Sequence, residues 1–244
     1  MVFRNRERAI SGVLTEFVVI VAGILAALAV DQWRQSRVDL LLERELLQSL
    51  AQDLITDSTD FARLPTRALG RVVGAEVLLR TFRPSASRPA RTQMVIDTLT
   101  LPDLPASDED IVDAFSDLVT SSDLDVTVGA YQEFSEGGGQ RLVRNRELRR
   151  LVHDYRYRLT SSLKYDPVML DAIMEVQERA HDFALSPGDT DAAQIRARLR
   201  GPEADPFFAA VRTLQRRSVT QHRNGWLMLV DARELLEAIQ EELE

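Results

Sequence analysis

One uncharged apolar run near the N-terminus constrains this chain more than any other feature. From Phe17 to Val30 the sequence reads FVVIVAGILAALAV, without a charged or strongly polar residue. The wider stretch from Ile10 to Val30 has 21 residues, and a helix of that length measures about 31 Å. This length matches the hydrocarbon core of a bilayer. We therefore expect a short basic cytoplasmic tail at residues 1–9, a transmembrane helix at residues 10–31, and Trp33 at the far interface.

Two other interpretations of this stretch stay open. The basic start MVFRNRER and the motif Ala27-Leu28-Ala29 also fit a signal peptide that is cleaved after Ala29. A buried helix of a soluble core is the third interpretation. A retained anchor is favoured because Glu16 interrupts the pattern of a signal peptide, and because the sequence after Ala29 continues at once as helix. Arginines flank the stretch almost evenly, and we favour the orientation with the tail inside and the body outside.

Three residues of this stretch form a candidate membrane-helix interface. At about 100° per residue, Gly23 and Ala27 fall on the same helix face as Glu16. Small residues four positions apart allow helices to approach closely in lipid, and an acid within a membrane is a functional candidate. The alternative is that Glu16 reaches the headgroups and that the small residues express only a mild packing preference. If the interface exists, Glu16→Ala should loosen the association.

The remaining sequence has a helical rhythm. Apolar residues at spacings of three, four and seven, from Leu47 to Phe61, predict that the anchor continues as a stalk helix over about residues 32–64. Pro65 is predicted to end this stalk, and a further helix is expected from Thr66 to Phe82.

Several start and stop signals divide the rest into helices. Ser107, followed by three acids, predicts a helix that runs to about Thr120. Asn145 is predicted to cap a long helix. Asp205 is predicted to cap another, with Pro206 at its first position, and this helix should reach Leu243. Three glycines should end a short helix from Val128 to Glu136, and the stretch TQMVIDTLT could be a short strand or a helical turn. The predicted fold class is therefore all-α, with an antiparallel helical bundle within residues 32–244.

Composition and charge exclude some functions. The net charge is −8, and because the first nine residues carry +2, the remainder carries −10. An acidic body argues against binding to nucleic acid, which requires clustered Lys and Arg. The chain has no cysteine, which excludes disulfides and thiolate chemistry.

No motif in the sequence indicates catalysis. His153, His181 and His222 stand in no metal-ligand spacing, and we expect each to be exposed or partly packed on a helix. The glycine-rich EGGGQ lacks the strand and the Lys-Ser/Thr of a phosphate loop, so a helix-ending turn is expected there. The five arginines of RLVRNRELRR are expected to form a salt-bridged surface, with contact to anionic headgroups or to an acidic partner as the alternative. The sequence predicts no enzyme, no cofactor and no metal site.

Two stretches together resemble a bacterial membrane-protein family, domain of unknown function 6090. The first is TEFVVIVAGILAALAVDQWRQ, in which an acid, an apolar run with Gly-Ile-Leu, a second acid and a Trp follow in order. The second is GAYQEFSEGGGQRLVRNRELRRLVHDYRYRL, with an apolar pair before Asn and a Leu-Arg helix. The resemblance implies a retained single-pass anchor and an all-helical body. It implies no activity, because none is established for the family.

Together these features predict a protein that acts by binding. We expect a single-pass protein of the bacterial inner membrane with a periplasmic body, which serves as a non-catalytic scaffold or accessory interaction protein. Its expected partners are the lipid bilayer and either a second copy or a partner membrane protein. The alternative is a ligand-sensing helical bundle outside the cytoplasm that signals through a partner membrane protein.

Overall fold

The protein is all-helical wherever its structure is described. The computed structural model describes residues 3–85, 103–120 and 129–244, and within these ranges the side chains of residues 3–16, Val18 and Asp60 lie outside the description. The helices are α1 (Phe3–Phe82), α2 (Asp108–Val119), α3 (Gly129–Glu136), α4 (Gly139–Leu142), α5 (Arg146–His181), α6 (Ala192–Leu199) and α7 (Asp205–Leu243), with a 3₁₀ turn (Pro202–Ala204) before α7. The predicted all-α fold class is confirmed.

Three long helices, α1, α5 and α7, form a bundle in which α7 runs antiparallel to α1 and to α5. A guanidinium nitrogen of Arg44 in α1 donates to the carbonyl of Leu243, 3.2 Å away at the end of α7. At the opposite end Nε of Arg83 donates to Asp205 at the start of α7, over 2.7 Å. The side chain of Asn145, just before α5, bonds a glutamate in the last turn of α7. We call the end with Arg44, Asn145 and Leu243 the proximal end, and the end with Arg83 and Asp205 the distal end.

The core consists of two apolar clusters, one toward each end. The proximal cluster joins α1, α3, α5 and α7 and includes Leu47, Leu50, Leu54, Phe61, Tyr155, Leu235 and Ile239. The distal cluster joins α1, α2, α5, α6 and α7 and includes Leu78, Phe115, Ile173, Ile195, Phe207 and Phe208. Each large apolar side chain that is fully buried contributes roughly 1.5–3 kcal/mol relative to leaving it exposed. These clusters hold the three long helices in register.

The predicted helix break at Pro65 is wrong. α1 continues through Pro65 to Phe82, so the predicted stalk and the predicted Thr66–Phe82 helix are one element. An internal proline removes one backbone hydrogen bond and costs about 3 kcal/mol. Apolar packing on both sides of Pro65 outweighs that cost. From Glu43 onward one face of α1 is buried in the bundle, so residues 43–64 belong to the body and do not project as a stalk.

The predicted caps of α2 and α5 are confirmed. Oγ of Ser107 accepts from the backbone N–H of Asp110 over 3.0 Å, and the Asp110 carboxylate accepts from the Ser107 N–H over 2.8 Å. Oδ1 of Asn145 accepts from the N–H groups of Glu147 and Leu148. Pro167 does not interrupt α5, which is one helix to His181.

The remaining boundaries follow the sequence less closely. α7 reaches Leu243 as predicted, but Asp205 is its first helical residue and not its cap. α3 ends at Glu136 as predicted, and Gly138 has a left-handed φ of 82°. The stretch TQMVIDTLT and residue Val128 lie outside the described residues.

Candidate functional site

α1 projects beyond the proximal end of the bundle with its apolar side chains uncovered. Phe17, Leu25 and Trp33 each expose about 60% of their surface. The described part of the chain places no other element against them, since the buried face of α1 starts at Glu43. An exposed apolar segment of this length is typical of a surface that a partner or a membrane covers.

Gly23 and Ala27 of the candidate interface both lie on this projecting segment and are exposed. A Cβ added to Gly23 would meet no atom within 4 Å. At about 100° per residue these two positions lie roughly opposite the face of α1 that carries Leu50 into the core. The backbone of Glu16 belongs to the same helix, and its side chain lies outside the described residues.

The membrane-spanning role of residues 10–31 stays a prediction. Within the residues that the structure describes, no helix has a stretch both long enough and apolar enough to cross a bilayer. The side chains of residues 10–16 and of Val18, which belong to the predicted span, are outside that range.

A groove lies where the projecting helix enters the bundle, between α1 and the end of α7. Its volume is about 370 Å³. Apolar and charged side chains line it together: Arg37, Leu40, Leu41, Glu43, Arg44, Leu47, Glu242 and Leu243. Leu41 is 69% exposed although it lies only two residues before the first buried position of α1. The lining of the groove therefore combines leucine side chains with charges of both signs.

A layer of buried polar side chains separates the two apolar clusters, and Arg71 is at its centre. Arg71 is 2% exposed. One of its terminal nitrogens donates to Oε1 of Gln221 in α7 over 3.0 Å. The other donates to the carbonyl of Thr120, which follows α2, over 3.1 Å. One side chain thus links α1, α2 and α7.

The electrostatics of this layer reflect burial. Burial, and then the positive charge of Arg67, lower the pKa of Arg71, while Asp117 and Asp166 act in the opposite direction. Burial, and then Asp113, raise the pKa of Asp117, while Arg71 acts to lower it. The layer is thus costly to assemble, which favours a role in fixing how the helices align.

Further polar side chains complete the layer. Nε2 of Gln215 donates to the buried carboxylate of Glu76 over 3.1 Å. Nδ1 of His222 lies 2.9 Å from the carbonyl oxygen of Pro65. His222 is 5% exposed, so the expectation that it is exposed or partly packed is wrong, because it lies on the face of α7 that packs against α1. His153 and His181 are exposed, as expected.

The cavity next to this layer is small. It lies between α1, α5 and α7, is bordered by Tyr165, Asp166, Gln221 and Asn224 among others, and has about 20 Å³. That volume holds roughly one water molecule. Small-molecule sites typically have about 300–1,000 Å³. This cavity therefore does not offer the ligand space that a sensing bundle needs.

A second buried polar group lies in the proximal cluster. The rings of Tyr131 and Tyr155 stack with centroids 5.4 Å apart. Burial raises the pKa of both hydroxyls, and the nearby Asp57 raises them further. Both phenols therefore remain neutral in the folded chain, which suits packing.

Charged side chains on the surface form ion pairs within the chain. Arg150 pairs with Glu147 and Asp154 over 2.5 and 2.6 Å, and Arg144 pairs with Glu43. The expected salt-bridged surface at RLVRNRELRR is thus present. Among the described residues, no group of three or more His, Asp or Glu side chains could hold a metal ion.

Sequence reasoning missed the polar layer, although a signal was present. Arg71 falls on the same helical stripe as Ala68, Val72 and Ala75, all of which are buried. A single arginine on a core-facing stripe predicts a buried, hydrogen-bonded guanidinium.

No family model, no curated protein and no solved structure matches this chain. The resemblance to the bacterial membrane-protein family therefore stays a prediction.

Proposed function

We propose that this chain is a single-pass membrane protein whose helical body acts by binding, as a non-catalytic scaffold or accessory subunit. Residues 10–31 cross the bacterial inner membrane, the tail at residues 1–9 stays inside, and the body lies in the periplasm. The resemblance to domain of unknown function 6090 agrees with this proposal.

The observation that carries the proposal is the projecting part of α1. Its apolar side chains from Phe17 to Trp33 are exposed, and no described element of the chain covers them. A helix that is apolar on all sides is normally buried in a protein core or in lipid. Because α1 enters the body only at Glu43, lipid is the cover that this helix fits.

The body supports a binding role. Its two apolar clusters and the polar layer between them fill the interior of the bundle, and the cavity beside that layer has only about 20 Å³. An open site on this body is the surface groove at the proximal end, which leucines line together with charged side chains. The natural ligand of such a groove is another protein surface.

Membrane fractionation of cells that express the full chain tests the anchor. We expect the protein to stay in the membrane pellet after a carbonate wash and to need detergent for release. Its mass should be that of the full chain. A mass that corresponds to residues 30–244 would identify a signal peptide cleaved after Ala29. Recovery of the protein in the soluble fraction would overturn the proposal.

The absence of cysteine makes the orientation directly measurable. Two single-cysteine variants, Asn5→Cys in the tail and Ser161→Cys on the exposed surface of α5, are treated with a membrane-impermeant maleimide. We expect Ser161→Cys to react once the outer membrane is permeabilised and Asn5→Cys to react only after lysis. The reverse pattern would place the body in the cytoplasm.

A further inference from the structure

α1 carries four exposed apolar residues just before it enters the bundle. Val38, Leu40, Leu41 and Leu42, which we call the collar, expose 44%, 45%, 69% and 44% of their surfaces. Two of them, Leu40 and Leu41, also line the proximal groove. The collar is therefore continuous, through Leu40 and Leu41, with the lining of the groove.

Lipid does not reach the collar if the anchor is placed as proposed above, and this step rests on that proposed function. Val38 and Leu42 follow Val30 by eight and twelve residues, so they lie about 12 and 18 Å farther along the helix. The headgroup region adds only about 5–8 Å on each side of the hydrocarbon core. The collar is thus in the aqueous zone and needs protein to cover it.

We propose that the collar and the proximal groove form the contact between two copies of this chain that stand side by side in one membrane. Anchors in the same bilayer hold both α1 helices parallel and at the same height. Each collar therefore meets the collar of the other copy, as a two-fold interface requires. Leu41 of one copy packs against Leu41 of the other, at the mouth of the groove that Leu47 and Leu243 also line.

The charges around the groove are complementary under the same two-fold symmetry. Arg37 and Arg44 lie exposed along α1, and Glu241, Glu242 and Glu244 lie exposed at the end of α7. Both sets lie at the proximal end, because Arg44 bonds the carbonyl of Leu243. In the dimer the arginines of each copy face the glutamates of the other. A second copy thus satisfies both the apolar and the charged part of this surface.

Cysteine cross-linking in the native membrane tests the geometry. Leu41→Cys is the only thiol in its chain, and a disulfide forms only when two Cα atoms come within about 7 Å. We expect mild oxidation to convert most of the Leu41→Cys protein to a covalent dimer. The matched control is Met174→Cys, on α5 beside the distal cluster and 55% exposed, which should stay monomeric. A monomeric Leu41→Cys protein would overturn the proposal.

The mass of the full chain in detergent tests the energetics. We expect the wild type to be a dimer, and Leu40→Ser with Leu41→Ser to weaken the dimer by about a hundredfold, or about tenfold for each leucine. Met174→Ser should leave the dimer intact. A dimer that survives the collar substitutions would contradict the inferred contact.

Two further outcomes separate this inference from the proposed function. A membrane-bound monomer would overturn the dimer and leave the anchor intact, whereas a soluble chain would overturn the anchor itself. A wild-type complex with a different protein that is lost with Leu40→Ser and Leu41→Ser would show that the collar binds a partner, and would refute a second copy as the occupant.

Discussion

Gly225 of α7 lies directly against Pro65 of α1. A Cβ at position 225 would be 3.1 Å from Cδ of Pro65 and 3.1 Å from Cβ of Leu64. The same turn of α7 brings His222 to the Pro65 carbonyl. The close packing of α7 against Pro65 therefore requires a glycine at position 225.

Gly225→Ala should destabilise the protein in spite of the higher helix propensity of alanine. Alanine gains up to about 1 kcal/mol from propensity, but overpacking costs about 1–3 kcal/mol. The neighbours are a proline ring and a Cβ, which cannot rotate away. We expect a net loss of about 1 kcal/mol in the free energy of unfolding, measured by urea denaturation of the full chain in detergent.

The matched control for this substitution is Gly129→Ala. A Cβ at Gly129, the first residue of α3, would meet no atom within 4 Å. We expect its stability to be unchanged or slightly higher. Equal effects of the two substitutions would show that propensity, and not the contact with Pro65, governs Gly225.

Arg71→Met should be among the most damaging single substitutions in the body. Methionine keeps much of the apolar stem but leaves the carbonyl of Thr120 and the amide oxygen of Gln221 without their donor. The Gln221 oxygen is buried, and a buried acceptor that loses its partner costs about 1–3 kcal/mol, whereas the part-buried Thr120 carbonyl adds less. We expect a loss of roughly 2–5 kcal/mol in the free energy of unfolding.

A double-substitution cycle identifies how much of that loss comes from Gln221. Gln221→Leu removes the acceptor, so adding it to Arg71→Met should cost less than it does in the wild type. Strictly additive losses would contradict the hydrogen bond between these two side chains.

Local signals predicted helix boundaries where the cap is made by neighbouring residues. Ser107 with Asp110, and Asn145 with Leu148, are contacts within four positions, so the sequence contains all the information. Pro65 shows the opposite case, because its effect depends on a glycine 160 positions later. Propensity ends a helix at such a proline only when tertiary packing does not hold both sides together.

The candidate site was predictable to a similar extent. The exposed apolar run before Trp33 follows directly from composition. The proximal groove could not be predicted in this way. Leu40 and Leu41 line it together with the end of α7, which only the bundle topology brings beside them. The partners of Arg71 likewise come from α2 and α7, and no local pattern specifies them.

Ser107→Ala tests the capping box of α2. The hydroxyl accepts the Asp110 N–H, and its loss leaves that donor at the helix start without a protein partner. N-cap substitutions of this type typically cost about 1 kcal/mol. Ser161→Ala, on the exposed side of α5, should change the urea midpoint little, and an equal loss at both positions would argue against a special role for the cap.

Ser218→Ala should stabilise the protein, in contrast to the substitutions above. Oγ of Ser218 is fully buried in α7 and has no hydrogen-bond partner among the described residues. A buried hydroxyl without a partner costs about 1–3 kcal/mol, and alanine leaves almost the same shape. We expect the free energy of unfolding to rise by about 1 kcal/mol. A lower urea midpoint than that of the wild type would show that this hydroxyl contributes to stability.

The buried tyrosine pair should make the protein sensitive to alkaline pH. An unfolded tyrosine ionises near pH 10, whereas burial raises the pKa of Tyr131 and Tyr155 in the folded chain. Above about pH 10 the unfolded state therefore releases protons that the folded state keeps, and the free energy of unfolding falls as the pH rises. Urea midpoints from helical circular dichroism at pH 8 and pH 11 measure this fall. It should be much smaller when both residues are Phe, whereas Tyr157→Phe, at an exposed position outside the pair, should retain the wild-type fall. If the variant with Tyr131→Phe and Tyr155→Phe loses as much stability between pH 8 and pH 11 as the wild type, groups other than these two tyrosines cause the alkaline sensitivity.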